Sequence, residues 1–351
     1  MNEVLSACSA IIRDHLPSTW SLTSTPAQTP ERGSADATLS LLTPDGQEIT
    51  LVVEAKRLIE ARDVAAIRAQ LAHRTGQHPD SVGMFMARYL SRSTREALAQ
   101  AGIAFVDATG NMLVRAESPA LFISDRGADS DPWRGPGRPR ATLQGEPAAK
   151  VVRALADIAG PWRIRDLVET SSTSTGSVYR VIEFLEAEAL AVREGKGLIH
   201  IPDWAALLRR WSHDYQFLRT NKITRWIAPR GLPSLLDAMR TSPIDQYALT
   251  GSMAAGAWEP HAPARSAMVY ATEPEHTAAA WGLRPTDAGA NVLIAEPAYP
   301  VVLVRRVKAF DGVSLAAPAQ VAVDLMTGPG RAPAEAEELL NWMEHHEKTW
   351  R

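Results

Sequence analysis

Residues 171–200 read SSTSTGSVYRVIEFLEAEALAVREGKGLIH, and this stretch decides the fold of the central part of the chain. From Thr175 to Ala189 the apolar residues recur at the spacing of one helical face, which predicts an amphipathic helix. Small hydroxylated residues open that helix. Two short apolar runs follow, joined by Glu194-Gly195-Lys196-Gly197, and this pattern predicts a two-stranded β-ribbon.

Two further helices are expected before this stretch. Ala148–Ala159 has apolar residues on one helical face and stops at Gly160-Pro161, and a shorter helix follows at Ile164–Thr170. Three helices and a β-ribbon in this order resemble the winged helix-turn-helix family of bacterial regulators. The resemblance implies that the third helix enters the major groove of double-stranded DNA. The alternative is a domain of this kind that serves only protein contacts or dimerisation.

The resemblance also implies which side chains meet DNA. Short residues at the start of the third helix allow its backbone to approach phosphates, and longer ones in the same turn reach base edges or sugars. Basic residues on the ribbon are expected to contact the adjacent DNA backbone. The expected contacts are Ser172, Ser174, Thr175, Ser177, Tyr179 and Arg180 on the helix, with Arg193 and Lys196 on the ribbon.

Charge is unevenly distributed along the chain. The net charge is −3, but residues 133–230 contain sixteen Lys and Arg against ten Asp and Glu, so this stretch carries +6 and the remainder −9. A basic segment in an acidic chain is typical of a surface that meets a polyanion. The Gly- and Pro-rich stretch 125–146 is expected to be a linker. Within it, Gly137-Arg138-Pro139 with Arg140 resembles an AT-hook, whose arginines enter an A·T-rich minor groove; the alternative is a solvated linker.

The N-terminal region, 1–124, is expected to be an α/β sandwich because predicted strands alternate with helices. Asp36 precedes one strand, and Glu54-Ala55-Lys56 ends the next. This pattern resembles the PD-(D/E)XK restriction-endonuclease-like fold. The resemblance implies Asp36 and Glu54 as Mg²⁺ ligands and Lys56 as the residue that stabilises charge at the phosphate. Gln70 would be a supporting residue and Glu3 a further candidate ligand. The alternative is that Glu54 and Lys56 form only a surface ion pair.

The C-terminal region, 244–351, is also expected to mix α and β structure. Residues 247–252, YALTGS, resemble the strand-Gly-Ser-helix opening of nucleotidyltransferase folds, and residues 318–325 with Gly330-Arg331 resemble the C-terminal domain of AbiEi-type antitoxins. Those antitoxins are transcriptional regulators with a preceding winged helix. The strand expected next, residues 266–271, has no carboxylate to hold Mg²⁺, so a degenerate nucleotidyltransferase-like domain is expected.

These patterns predict an α+β multidomain chain with a winged helix at 147–228, between the endonuclease-like and nucleotidyltransferase-like regions. The expected function is that of a DNA-binding, antitoxin-like repressor, which works as a homodimer and needs no cofactor to bind DNA. The alternative is a Mg²⁺-dependent DNA endonuclease that its winged helix targets. A third interpretation is an interaction protein that neutralises a toxin partner. Cys8 is the single cysteine, so no disulfide forms within the chain. With no apolar run of about 20 residues and no leader-like start, we expect a cytoplasmic protein with no membrane partner.

Overall fold

A computed structural model describes residues 2–26, 35–76, 81–133, 142–195, 197–260 and 263–351. The fold is mixed α and β. Contacts divide the chain into two compact units, the first built on Met1–Arg138 with Glu186–Ala189 and the second on the remaining residues of Pro139–Arg351. No helix within the described ranges is both long and apolar enough to cross a bilayer.

The first unit contains a seven-stranded sheet whose strands lie in chain order. Strands β3, β4 and β5 are parallel to one another, and the other neighbours pair antiparallel. The parallel strands need crossovers, which α2 and α3 supply. The elements are α1 (Asn2–His15), β1 (Ser21–Pro26), β2 (Ala37–Leu42), β3 (Glu48–Lys56), α2 (Val64–Thr75), β4 (Ser81–Ala87), α3 (Arg92–Gln100), β5 (Ala104–Asp107), β6 (Met112–Ala116) and β7 (Leu121–Asp125).

Helices cover both faces of this sheet. The apolar face of α1, including Cys8 and Ile12, packs with Val53 and Met84 on one side. On the other side, α2 and α3 pack against Phe85 and its neighbours. Side chains alternate between the faces of a strand, so Glu54 lies on the α2 side, opposite α1.

The second unit begins with three helices and a ribbon. These are α4 (Glu146–Asp157), α5 (Ile164–Ser171), α6 (Thr175–Ala187), β8 (Val192–Glu194) and β9 (Leu198–His200). Trp162, between α4 and α5, exchanges two backbone hydrogen bonds of 2.8 Å with Ile199, which adds an isolated bridge beside β9. Val151, Leu155, Leu167 and Val181 are fully buried where the three helices meet.

A second seven-stranded sheet, in the order β13-β10-β14-β12-β11-β16-β15, follows in the chain. It is mixed, since β12 is parallel to β14 and antiparallel to β11. The elements are α7 (Trp204–Ser212), α8 (Phe217–Thr220), β10 (Lys222–Ile227), α9 (Gly231–Thr241), β11 (Tyr247–Thr250), α10 (Gly251–Ala255), β12 (Ala267–Ala271), α11 (Pro274–Ala280), β13 (Arg284–Pro285), β14 (Val292–Glu296), β15 (Val307–Ala309), β16 (Val313–Leu315), α12 (Pro318–Met326), α13 (Ala332–His345) and α14 (Glu347–Trp350).

Three features differ from the sequence patterns. The apolar run 300–304 predicts a strand, and this prediction is wrong, because Pro300–Leu303 forms a 3₁₀ turn whose first residue, a proline, has no N–H for a strand ladder. Strand β10 lies inside the segment 147–228 but pairs with β14 of the second sheet. The edge strands β1 and β7 complete the first sheet, although neither was expected from its residues.

Candidate nucleic-acid interface

The start of α6 is held by Ser174. Its Oγ accepts a hydrogen bond of 3.2 Å from the backbone N–H of Ser177, which is the geometry of a helix N-cap. The preceding helix, α5, ends at Ser171, and its C-cap residue Ser172 has a left-handed backbone (φ 50°) that turns the chain towards α6. A serine-rich stretch forms this turn because short side chains replace the backbone partners that helix ends lack.

Five of the six residues expected to contact DNA from the α6 region are exposed. Ser172, Ser174 and Thr175 are exposed, and so are Tyr179 and Arg180 one turn further along α6. Tyr179 is 44% exposed, so much of its ring lies on the protein surface. The structure therefore brings five of the expected residues to one end of α6.

Ser177 differs from its neighbours. It is only 8% exposed, so its side chain is not on the surface that its neighbours share. Its Oγ accepts a hydrogen bond of 3.3 Å from Nη2 of Arg180, and it lies 3.0 Å from Oγ of Ser174. Ser177 is thus positioned to orient the Arg180 guanidinium rather than to reach outward. The spacing of Ser177, Val181 and Phe184, one helical face, could have shown this from the sequence.

The ribbon carries the remaining candidates. Arg193 is exposed on β8, and its neighbour Glu194 forms an ion pair of 3.3 Å with His200 of β9. Lys196, Arg138 and Arg140 lie outside the described residues, so the expectations for the turn of the ribbon and for the AT-hook-like segment stay predictions.

The basic excess between 133 and 230 is partly neutralised within the fold. At least six of its basic residues form ion pairs with carboxylates: Lys150 with Glu146, Arg153 with Asp157, Arg165 with Glu169, Arg209 with Glu337, Arg210 with Asp214 and Lys222 with Glu296. Four of these carboxylates lie within 133–230 and are already counted in its charge of +6, so only Glu337 and Glu296, from outside the segment, reduce the excess further.

The first unit brings Asp36, Glu54 and Lys56 together where β2 begins and β3 ends, inside the sheet. Oδ2 of Asp36 accepts a hydrogen bond of 2.8 Å from the backbone N–H of Ala55, between the two other candidates. Oε1 of Glu54 lies 3.7 Å from Nζ of Lys56. Oε2 of Glu54 accepts a hydrogen bond from Nη1 of Arg74 on α2, a partner that the sequence pattern did not suggest.

This arrangement does not fit a divalent cation. The donor types, two carboxylates, suit Mg²⁺. However, both oxygens of the buried Glu54 face cations, Lys56 and Arg74. These two side chains already neutralise the negative charge of Glu54 that would bind a metal ion. Gln70 is exposed on α2 one turn before Arg74, and Glu3 begins α1 on the opposite face of the sheet. Among the described residues, no three His, Cys, Asp or Glu side chains converge as a metal site.

The C-terminal Gly-Ser turn packs closely against strand β12. Gly251 has a positive φ of 65°, and a Cβ added there would lie 2.8 Å from Sδ of Met268. The Met268 side chain therefore fills the space in front of the turn. Strand β12, which contains Met268, has no carboxylate.

Behind this turn lies a buried polar network centred on Asp324 of α12. Its carboxylate accepts hydrogen bonds from Thr250 (2.6 Å), Tyr270 (2.7 Å) and Gln320 (2.9 Å). The hydroxyl of Tyr270 also lies 2.9 Å from that of Tyr215. Burial raises the pKa of Asp324 to about 7, against the lowering effect of these hydrogen bonds. The network occupies the interior of the fold and offers no surface for a substrate.

Comparisons with protein families, with curated proteins and with solved structures find no match to this chain.

Proposed function

We propose that this chain is a sequence-specific, double-stranded DNA-binding transcriptional regulator. In this proposal α4, α5 and α6 with the β8–β9 ribbon form a winged helix-turn-helix. Helix α6 enters the major groove, and the ribbon lies along the neighbouring backbone. The observation that carries the proposal is the exposed start of α6, where the Ser174 cap holds the first turn and Tyr179 and Arg180 are exposed one turn further along.

The chemistry of this turn suits a duplex. Backbone N–H groups at a helix N-terminus favour phosphate, and Ser172, Ser174 and Thr175 are short enough to let the phosphate approach. Arg180 follows one turn further along α6, and a guanidinium can hydrogen-bond a guanine edge in two places. Its bond to Ser177 restricts the side chain before binding, which reduces the entropy lost on contact.

In this proposal the first unit and the second sheet serve as scaffolds on either side of the winged helix in the sequence. The first unit has the order helix, three antiparallel strands, helix and parallel strand, which supports an endonuclease-like domain. The second sheet, with its Gly251 turn closed by Met268, supports a degenerate nucleotidyltransferase-like domain. We propose an antitoxin-like repressor that works as a cytoplasmic homodimer, because one winged helix reads only a short half-site. A toxin partner is compatible with this function.

The test is selection of binding sites from a pool of random duplexes with the full chain. We expect an enriched motif with two half-sites related by a two-fold axis. We also expect affinity for the selected duplex to fall steeply as salt increases, because contacts to phosphates release counterions. A pool that shows no enrichment at low salt contradicts the proposal. Enrichment of a single, unrepeated half-site contradicts only the dimer.

A further inference from the structure

Segment 126–133 runs across the ends of strands β4 and β5 in the first unit. Its first half is fixed there, because the backbone N–H of Gly127 donates to Oδ1 of Asn111 at 3.0 Å and that of Ala128 donates to Oγ1 of Thr109 at 3.1 Å. Nδ2 of Asn111 in turn donates to the carbonyl oxygen of Ala128 at 3.1 Å. Since β3, β4 and β5 are parallel, their carboxyl ends meet at this edge. In open α/β sheets this is the edge at which ligands bind.

The second half of the segment, residues 130–133, lies on Arg88, the first residue after β4. Oδ2 of Asp131 is 3.8 Å from Nη2 of Arg88, which is longer than a hydrogen bond. The Trp133 ring lies over the guanidinium, with 5.2 Å between its centroid and Cζ, and this tryptophan is 45% exposed. None of the residues 130–133 is buried. A segment with so few buried contacts opens at a low cost in free energy.

The guanidinium of Arg88 is incompletely hydrogen-bonded beneath this segment. Its side chain is 15% exposed, and both Nε and Nη2 are buried without a hydrogen-bond partner among the described residues. These two nitrogens lie on one edge of the planar guanidinium, where their N–H bonds point in the same direction. Such an edge matches two oxygens of a phosphate or a carboxylate. Asp131 approaches it from the segment without closing either bond, so an anion that did so would recover the cost of the unpaired donors.

The charged groups around Arg88 leave this edge positive once Asp131 moves away. The charged side chains within electrostatic range of the neighbouring Tyr89 hydroxyl are Arg95, Asp107, Asp129 and Asp131. Asp107 is fully buried, and neutral groups already satisfy its carboxylate: the backbone N–H of Leu90 and the side chains of Thr109 and Asn111. Asp129 is exposed, so water solvates its charge. Two guanidiniums, those of Arg88 and Arg95, then face one buried carboxylate that needs no further partner.

We propose that Arg88 binds the phosphate group of a nucleotide, and that residues 130–133 compete with the nucleotide for the same guanidinium. The phosphate takes the Nε and Nη2 edge that Asp131 approaches, and the base stacks on the guanidinium face that Trp133 covers. The segment places an anion and an aromatic ring on Arg88, as a nucleotide does. The site belongs to the first unit and does not rest on the proposed function, which belongs to the second.

Binding is tested by titration calorimetry of the full chain with adenosine 5′-monophosphate (AMP), with adenosine, which lacks the phosphate, and with ribose 5-phosphate, which lacks the base. We expect AMP to bind at least about tenfold more tightly than either, a difference of about 1.4 kcal/mol. Arg88→Lys keeps the charge but loses the paired edge, so it should weaken AMP at least about tenfold. Arg115→Lys, at an arginine of β6 that lies over the Phe122 ring, is the matched control and should bind AMP as the unaltered chain does.

Competition predicts gains in affinity, which a misfolded variant cannot imitate. Asp131→Asn removes the competing anion and Trp133→Ala the competing ring, so each should tighten AMP binding at least about threefold. Hydrogen exchange is an independent readout of the displacement. AMP should speed exchange of the backbone amides of Ser130, Asp131 and Trp133, and leave the hydrogen-bonded amides of Gly127 and Ala128 unchanged.

Three results would overturn the phosphate site: no binding of AMP, equal affinity for AMP and adenosine, or unchanged AMP affinity in Arg88→Lys. Ribose 5-phosphate that binds as tightly as AMP would overturn the stacked base. Competition is overturned if AMP binds but exchange across residues 130–133 slows or stays the same, or if neither Asp131→Asn nor Trp133→Ala tightens AMP binding. Each of these results leaves the proposed DNA binding untouched, because that is measured with duplexes.

Discussion

Arg153 of α4 and Gln320 of α12 are hydrogen-bonded inside the second unit, with 3.0 Å between Nη1 of the arginine and Oε1 of the glutamine. Arg153 is 1% exposed and also forms an ion pair of 2.8 Å with Asp157. Gln320 in turn donates to Asp324. The first helix of the proposed DNA-binding module is therefore joined by polar contacts to the second sheet and its helices, and the two are expected to unfold together.

Removing the Arg153 guanidinium is expected to be strongly destabilising. Arg153→Met leaves Asp157 as a buried carboxylate without its ion-pair partner, which costs about 3–5 kcal/mol. Urea unfolding followed by circular dichroism measures the change. Arg165→Met is the control, because the Arg165–Glu169 pair is exposed on α5 and is worth less than about 1 kcal/mol. Arg153→Met with Asp157→Leu should recover part of the loss; a double variant no more stable than the single one would contradict this explanation.

The buried Asp324 is expected to make stability fall as pH rises. Its pKa is about 7 in the folded chain against an ordinary value of 3.8, so the folded state holds a proton that the unfolded state releases. The stability that Asp324 contributes by holding this proton is fully present below pH about 4 and is lost as the pH rises to about 7. The free energy of unfolding falls over this range by roughly 4 kcal/mol at most. Asp324→Asn keeps the shape without titrating and should flatten the dependence in thermal unfolding at several pH values. An unchanged slope in this variant would show that other groups cause it.

Local patterns predicted the local structure well. Helix α6 and the β8–β9 ribbon follow from periodicities of about 3.6 and 2 within a single short stretch. Strand β1, with the sequence SLTSTP, has no alternating apolar pattern, and it becomes a strand only because β2 offers it a paired edge. The sequence pattern assigns β10 to the central region, 147–228. Its pairing with β14 could not be predicted, because β14 lies about 70 residues further along the chain.

The candidate sites also divide into those that local sequence patterns predict and those that depend on distant parts of the chain. The exposed start of α6 follows from its serines, which are typical of a helix cap and turn. The ion pair of Glu54 with Arg74 depends on where α2 packs on the sheet, and no spacing in the sequence specifies that packing.

Arg180 is expected to contribute sequence discrimination. Arg180→Ala should lose about 1–3 kcal/mol of preference for the selected duplex over a scrambled one, because a base-edge contact is specific whereas phosphate contacts are not. Gel-shift titrations of both duplexes measure the difference. Arg209→Ala, an arginine of α7 paired with Glu337, is the control and should leave both affinities unchanged. Equal weakening of both duplexes by Arg180→Ala would assign Arg180 to the phosphate backbone instead.

Cys8 is expected to be inert in the folded chain. Its side chain is fully buried, and burial raises the pKa of its thiol to about 12, so little thiolate forms at neutral pH. As the single cysteine it should react with a thiol reagent only at the rate at which the first unit opens. Labelling followed by mass spectrometry, with and without urea, measures this. Complete labelling in the native chain within minutes would contradict the burial of α1 on the sheet.

The first unit is expected to leave DNA intact. Since Lys56 and Arg74 both face the Glu54 carboxylate, supercoiled plasmid incubated with the full chain and millimolar Mg²⁺ should remain uncut. Agarose gels over several hours measure this, with Asp36→Asn as the matched control. Arg74→Met, which leaves buried Glu54 with only the more distant Lys56, should lower the free energy of unfolding by about 1–3 kcal/mol. Plasmid cleavage that needs Mg²⁺ and disappears in both Asp36→Asn and Lys56→Ala would instead identify an endonuclease, because a contaminating nuclease would not respond to either substitution.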